Sequence, residues 1–543
     1  MKQSLRSKMV MRTVLIVLAL SMVGVETGYS QNTFEEGNLI YAIRSGYKVT
    51  VMGHVNGQNA YGVLTIPESV SHEGHNYTVT AIGEDAFMGS PHLIGDLVIP
   101  NSVIEIGQGA FEFCTGFNGS LVLGNSVERI GDAAFDECVN LVGGLVIPNS
   151  VTTIGNSAFA FCSNLTGDLI IPSSITEIGE CAFSNCEGFD GILSIGNAVE
   201  IIGSGAFSNC RNLTGNLVIP NTVTEIGDGA FSECEGLTGD LVIPDAVIEL
   251  GSNAFENCRG FNSLTISNSV ETIKDEAFYG CLGFVGDLVI PNSVVEIWPL
   301  AFANCSGFSS LTVGSSLLSI FDEAFKNNNF ERIVVDEDNP LYDSRDDCNA
   351  IVDSYTNTIV FGCKGTVIPE SVTAIGDAAF YGVEFPGLFV LPESIQSIGY
   401  LAFMGCVGLD IVFSNNPNPP TINNSFHHGM PQLEVSCGAK EAYEASDWAN
   451  YFNYIEQDCV SVNEGQDFTE TSIYPNPTSD KIVIVSEGLS HIVVSNMLGQ
   501  CVYDSPVNGD EFTFDFDGYD SGIYLIRIET TNGVATKRVV LTK

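Results

Sequence analysis

Thirteen phenylalanines, each preceded by alanine, recur at Phe87, Phe111, Phe135, Phe159, Phe183, Phe207, Phe231, Phe255, Phe278, Phe302, Phe325, Phe380 and Phe403. The first eight lie 24 residues apart, the next three intervals are 23, 24 and 23, and a gap of 55 precedes Phe380. A fixed period of this size means one coil of chain per repeat, stacked into a solenoid that presents a long surface rather than one compact core. Stacking is obligatory, because a lone turn leaves both of its apolar faces in water.

A typical turn, Leu237 to Cys258, reads as an L-x-x-x-L-x-I-P segment, then V-x-x-[IL]-G, then A-F-x-x-C. In the shorter turns the first segment becomes Phe261-Asn-Ser-Leu264-Thr-Ile266, which fits the leucine-rich repeat strand signature. The array resembles the bacterial leucine-rich repeat of the BspA-like type, with its I-P-x-S-V-x-x-I-G-x-x-A-F-x-x-C pattern, over residues 79 to 430. The expected fold is a mainly-β repeat of the α/β type, a solenoid of about thirteen turns with caps. Prolines such as Pro100, Pro148, Pro220 and Pro244 close the first strand, where a missing N–H is tolerated. The glycine four residues before the repeat phenylalanine, as at Gly83, Gly107 and Gly227, is expected to take a corner dihedral. A longer period is superposed: Gly124, Gly196 and Ser267 replace the strand-ending proline at intervals of 72 and 71, each preceded by Phe117, Phe189 or Phe261 in the leucine slot. Three-turn blocks have been duplicated.

The two ends differ in texture. Lys2, Arg6, Lys8 and Arg12 precede an apolar run from Val14 to Val25 and then Gly28-Tyr29-Ser30, so residues 1–30 read as a secretory signal, too short to anchor in a bilayer. Residues 31–78 alternate as strands and form an N-terminal β cap, 431–459 form the opposite cap, and 460–471 are a polar linker. Capping is required because an open coil end exposes apolar surface and strand edges. From 472 to 543 short alternating strands return. There Tyr474-Pro475-Asn476-Pro477, a Gly499 turn and Gly522-Ile523-Tyr524, with Lys537 and Arg538 near the end, resemble the C-terminal sorting domain of type IX secretion. That resemblance implies a small all-β sandwich, a contact with the secretion machinery, and removal on export to the outer-membrane surface or the medium.

Composition excludes several functions. Twenty basic against sixty-six acidic residues give a net charge of −46, which disfavours nucleic acid and anionic lipid. No later segment is long and apolar enough to span a membrane. No histidine falls between His92 and His427, depriving the array of the commonest general base. His72-Glu-Gly-His75 lacks the H-E-x-x-H spacing, and neither a nucleophile elbow nor a P-loop occurs. The acidic run Asp336, Asp338, Asp343, Asp346 and Asp347 lacks the glycine and terminal glutamate of an EF-hand. No catalytic residue, cofactor or metal site is expected.

Ten of the sixteen cysteines, Cys114, Cys138, Cys162, Cys186, Cys210, Cys234, Cys258, Cys281, Cys305 and Cys406, stand three residues after the repeat phenylalanine. Parallel Cβ vectors would keep neighbours too far apart to bond, so a buried ladder of free thiols is expected, with Cys181 alike. Cys348 and Cys363 bracket an expected hairpin insert at 346–365, and Cys437 and Cys459 bracket the second cap; in an exported chain both pairs are disulfide candidates.

Strand alternation marks a binding face. If Leu241 and Ile243 point inward, Val242 points out, and with it Val98, Val122, Val146, Ile170, Val218 and Val289. Two residues earlier the outward slot holds Asp96, Asp168, Asp240 and Asp287. At the corner-glycine position three consecutive turns substitute Lys274, Trp298 and Phe321, and the two aromatics add a second candidate contact. The resemblance implies an exported, non-enzymatic, adhesin-like protein binding host matrix or bacterial surface proteins or glycans. A glycan-acting enzyme or polysaccharide-capture component and an architectural surface spacer are the alternatives.

Overall fold

The computed structural model describes residues 33–321, 323–458, 471–476, 478–496, 501–519, 522–531 and 533–541. The expected signal 1–30, nearly all of the linker, Cys459, Pro477 and Gly499 lie outside the described residues. The chain forms a mainly-β solenoid of about 16 turns, against the thirteen expected. The additional turns come from the caps, which join the stack instead of merely covering it, and from the insert.

One wall is a 15-stranded sheet. It begins with the cap strands Thr33–Glu36, Leu39–Arg44, Lys48–His54 and His75–Ile82 and continues with one two-residue strand per turn, from Glu105–Ile106 to Ser319–Ile320. Register advances by one turn at each step, with Ile106 opposite Ile130 and Ile130 opposite Ile154. In each of these strands the Ile or Leu is turned into the core and its predecessor outward. The opposite wall is built from the L-x-I-P segments, which pair in short parallel sets such as Leu97–Val98 with Leu121–Val122 and lengthen toward Phe308–Val313.

Inside, the repeat phenylalanines stack. From Phe87 to Phe325 successive ring centroids are 5.2 to 5.7 Å apart and nearly parallel. Each ring is buried, so the turn-to-turn interface is an offset aromatic stack bordered by Ala, Val, Ile and Leu.

The expected corner dihedral is corrected by the structure. Gly83, Gly107 and Gly227 are not left-handed; they are glycine because a Cβ on Gly107 would lie 2.7 Å from the backbone of the preceding turn. Left-handed backbone occurs instead two residues either side of each phenylalanine, as at Ala133 and Glu137, Ser157 and Phe161, and Cys181 and Asn185. At these corners the N–H groups of Ala133, Phe135 and Glu137 all donate to the next turn, to the carbonyls of Asn156, Ala158 and Ala160. Gly109 and Gly229 occupy the same slot as Ala133. Ala133→Gly is therefore expected to stabilise the protein by roughly 1 kcal/mol, since a left-handed non-glycine residue costs about 1–2 kcal/mol against a smaller entropic loss for glycine. The denaturation midpoint in urea measures it.

At the 55-residue gap the stack is spliced. Ala350–Asp353 and Thr358–Gly362 form the expected antiparallel hairpin, but the second strand also pairs in parallel with Ala374–Ile375 and so begins a new wall. Phe361, which is not a repeat phenylalanine, meets Phe325 at 5.3 Å. The Gly362 backbone lies so near Phe380 that a Cβ there would come within 2.1 Å of the ring. Beyond, Phe380, Phe403 and Phe426 resume the stack at 5.1 and 5.0 Å. Trp448 then packs on Phe426 at 5.3 Å. The second cap is itself coiled: Met430–Ser436 and Phe452–Asp458 extend the wall in parallel, linked by the short helix Lys440–Glu444.

Among the described residues the C-terminal region is all-β, five strands paired around a core of their own. Instead of short strands only, it contains the long strand Lys481–Asn496, which absorbs register shifts between Val485 and His491. Its core includes Ile484, Ile492, Phe514, Phe516, Ile526 and Val539.

Candidate binding face

The L-V-I/P segments place every candidate of the apolar stripe where alternation expects it. Leu241 and Ile243 are buried while Val242 is exposed, and Val98, Val122, Ile170 and Val289 are about half exposed. Val146 at 76% and Val218 at 63% stand furthest out. Ile94, Val142, Ile192 and Val285 widen the stripe on the same wall. Such contiguous apolar exposure is uncommon on a protein that has no partner.

The aspartates beside the stripe are occupied. Asp96 Oδ1 accepts from the Ser120 N–H at 2.7 Å and its hydroxyl at 3.0 Å, and these bonds hold its carboxyl below the usual range. Asp168 accepts from the Ile192 N–H at 2.9 Å. Asp240 and Asp287 accept from the hydroxyls of Ser263 and Ser310 at 2.6 Å. Each ties its turn to the next, so the column is an inter-turn brace, and what this wall offers a ligand is chiefly apolar. The opposite wall has the contrary character: its outward slots hold Glu105, Glu177, Glu225, Glu249 and Glu296, relieved by Arg129, paired with Glu105 at 3.0 Å, and by Lys274, paired with Glu249. The variable positions of V-x-x-[IL]-G carry this polarity in the sequence, though only their placement on one wall reveals it.

Trp298 and Phe321 lie side by side on neighbouring strands, their rings 6.1 Å apart and inclined at 57°. Phe321 is 43% exposed and Trp298 partly so, its indole N–H donating to Glu296 at 3.0 Å.

Cys114, Cys138, Cys162, Cys186, Cys210, Cys234, Cys258, Cys281, Cys305 and Cys406 are all free, and so is Cys181. Each thiol of the ladder donates to the carbonyl of the repeat phenylalanine one turn back, Cys114 to Phe87 at 3.0 Å and Cys234 to Phe207 at 3.1 Å. Burial pushes the thiols of Cys114, Cys210, Cys305 and Cys406 up to about 12. The expected bond between Cys348 and Cys363 is absent: both are free. They face different interiors, Cys348 packing into the core of the later turns and Cys363 into that of the earlier ones. Cys437 is disulfide-bonded, and its expected partner Cys459 lies outside the described residues. Iodoacetamide at pH 7.5 should therefore leave the repeat cysteines, Cys348 and Cys363 unlabelled until the protein is denatured without reductant, whereupon all react; mass spectrometry reads the difference.

Asp136 is a site that sequence reasoning missed. Burial first, then the neighbouring Glu112 and Glu137, raise its carboxyl to about 7, and its Oδ1 is buried without a partner. The folded value exceeds the unfolded one, so the protonated form is favoured in the fold and stability falls as pH rises from about 4 through 7. Asp136→Asn is expected to stabilise by on the order of 2 kcal/mol at pH 8 and by nearly nothing at pH 4. Thermal melts at the two pH values compare directly.

Among the described residues no group of three His, Cys, Asp or Glu side chains is placed to hold a metal ion. Asp343 of the acidic run instead grips Arg345 through both oxygens, at 2.8 and 2.6 Å. A hollow of about 390 Å³ lies over Thr358, Gly376, Ser397 and Thr421, with Asp377 as its one carboxylate. In the C-terminal sheet Tyr474 is exposed and Tyr524 is buried against Phe516 at 5.0 Å.

Residues 80–214, 142–239, 191–281, 237–341 and 360–436 match the BspA type leucine rich repeat region (6 copies), and residues 472–542 match the secretion system C-terminal sorting domain. The chain belongs to the BspA-type leucine-rich repeat family and carries a type IX sorting domain, which makes it an exported surface protein. It is similar to a leucine-rich repeat protein from Bacteroides ovatus, 22% identical over 78% of this chain and 99% of that one, with a TM-score of 0.43. A leucine rich cell surface protein from Faecalibacterium prausnitzii is 20% identical over 80% of this chain and 96% of its own, with a TM-score of 0.28. Ulvan lyase NLR42 of Nonlabens ulvanivorans is 32% identical over 77 residues, which are 14% of this chain and 14% of that enzyme.

Proposed function

We propose that the chain is a non-enzymatic, adhesin-like protein that binds host matrix or bacterial surface macromolecules along the Val/Ile wall of its solenoid. The observation that supports this reading is the stripe itself: Val98, Val122, Val146, Ile170, Val218, Val242 and Val289 stand exposed in register, turn after turn, on a wall whose aspartates are already engaged with one another's turns. An extended apolar strip with a polar margin is suited to protein recognition rather than to enclosing a small substrate. Residues 31–459 would form the capped binding body, 460–471 the linker and 472–543 the address read by the secretion machinery.

Purified chain is to be tested against immobilised matrix proteins, bacterial surface proteins and glycans. Binding to at least one protein, reduced tenfold or more by combined Val146→Ser, Ile170→Ser, Val218→Ser and Val242→Ser, is the expected result. Those side chains point to solvent, so the fold survives their loss. Uniform silence, or binding indifferent to the four changes, refutes the proposal.

A further inference from the structure

Ten of the thirteen Ala-Phe pairs have glycine at the corner four residues before the phenylalanine, and close stacking of the turns accounts for it. A Cβ on Gly179, Gly203, Gly227 or Gly251 would lie 2.5 to 2.8 Å from the backbone of the turn beneath, and a Cβ does not approach other atoms so closely without displacement. Three successive turns nonetheless carry Lys274, Trp298 and Phe321 there. The ladder persists through them: the Lys274 N–H donates to Leu250, that of Trp298 to Ile273 and that of Phe321 to Ile297. Register sets the three side chains in a row on adjacent strands. None of them belongs to the buried core of the coil.

The row has a definite chemistry. Two inclined aromatic rings form its middle and end. Glu296 accepts from the Trp298 indole and thereby fixes the ring, while Lys274, paired with Glu249, contributes an ammonium at the opposite end. Hydrogen-bond donors and acceptors thus flank a stacking platform. A net charge of −46 disfavours an anionic ligand. The glutamates of this wall and the rings would attract a cation, and what opposes one at this row is the Lys274 ammonium at its end, paired with Glu249. An uncharged ligand that has an apolar face and several hydroxyls meets neither obstacle. Its C–H face stacks on the rings, and its hydroxyls donate to the glutamates and accept from Lys274.

We propose that Lys274, Trp298 and Phe321 form a subsite for a neutral oligosaccharide, on a different wall from the apolar stripe and independent of the adhesin reading. The molecule supplies its own probe, because it has two tryptophans. Trp448 is 1% exposed and its indole donates to the Pro420 carbonyl, so emission that responds to an external ligand comes from Trp298. The full-length chain is titrated separately with cellohexaose, laminarihexaose, maltohexaose, mannohexaose and, as the cationic control, hexa-arginine, at constant ionic strength. At least one of the neutral hexasaccharides should change the emission saturably and protect it from acrylamide, and hexa-arginine should do neither. Phe321→Ala is expected to weaken binding at least tenfold and Lys274→Ala at least threefold; Trp298→Ala, followed by calorimetry, should abolish it. The stripe variant Val146→Ser with Val218→Ser should bind the sugar as before, which separates failure here from failure of the adhesin reading. No response to any of the four sugars, a response to hexa-arginine alone, or calorimetric binding undiminished by Trp298→Ala in a normally melting protein overturns the proposal.

Discussion

Removing residues 472–543 is expected to leave a folded solenoid that accumulates in the periplasm and is absent from the cell surface. The sorting-domain match covers residues 472–542, and the hydrophobic core of that sheet shares no residue with the cores of the solenoid. Folding of the coil and possession of the address are separable for that reason. The effect on surface display should be all or none, whereas the melting temperature of the solenoid should not move. The surface form of the intact protein should begin near Gln31 and end between Ser461 and Thr471, because a polar linker joining two separately folded units is where a processing peptidase cuts. Mass spectrometry of surface material decides. Surface chains that end at Lys543 would make the module a permanent part of the protein.

The second large effect is on stability. Phe207 is fully buried, with Phe183 at 5.7 Å on one side and Phe231 at 5.4 Å on the other. Phe207→Ala removes two ring contacts and leaves a cavity that the hydrogen-bonded corners cannot collapse to fill, so a loss of about 3–5 kcal/mol is expected. Because each turn of a solenoid is held by its neighbours, the loss should appear as early melting of the turns on both sides. Val218→Ser, outward on the following turn, should change stability by less than about 0.5 kcal/mol. Hydrogen exchange resolved along the chain distinguishes local from global loosening. A Phe207→Ala protein within about 1 kcal/mol of the parent would mean that the stack of rings is not what binds turn to turn.

The elements most legible in the sequence were those that repetition makes redundant. The inward phenylalanine, the buried thiol and the outward valine each occur many times, and any one instance corrects misreading of another. What escaped notice was singular or cooperative. Phe361 occupies the ring stack without an Ala-Phe motif, because the hairpin strand delivers it from another register. Cys348 and Cys363 bracket that hairpin in sequence but face separate cores, since a bracket in sequence says nothing about the side on which each thiol emerges. The corner glycines suggest a dihedral requirement in the sequence, whereas close approach of the turn below is the cause. Left-handed positions filled by Ala133, Ser157, Leu300 and Leu401 are invisible to residue preference and follow from the need to direct N–H groups along the stack. For the candidate face, exposure followed from alternation; the engagement of Asp96 and Asp168 by the following turn did not.

The splice at Phe361 bears on how such a molecule changes over generations. A hairpin stands between two turns, and the ring stack resumes beyond it at Phe380 and Phe403. A coil that resumes beyond an insertion in this way is free to gain or lose whole turns as well, and the three-turn spacing of Gly124, Gly196 and Ser267 fits growth by whole blocks. At about 4.8 Å per strand, one block alters the distance between the two caps by roughly 14 Å. Length is thus the character most readily adjusted, and a lineage carrying this chain has a means of setting the distance between its two caps without redesigning a single contact.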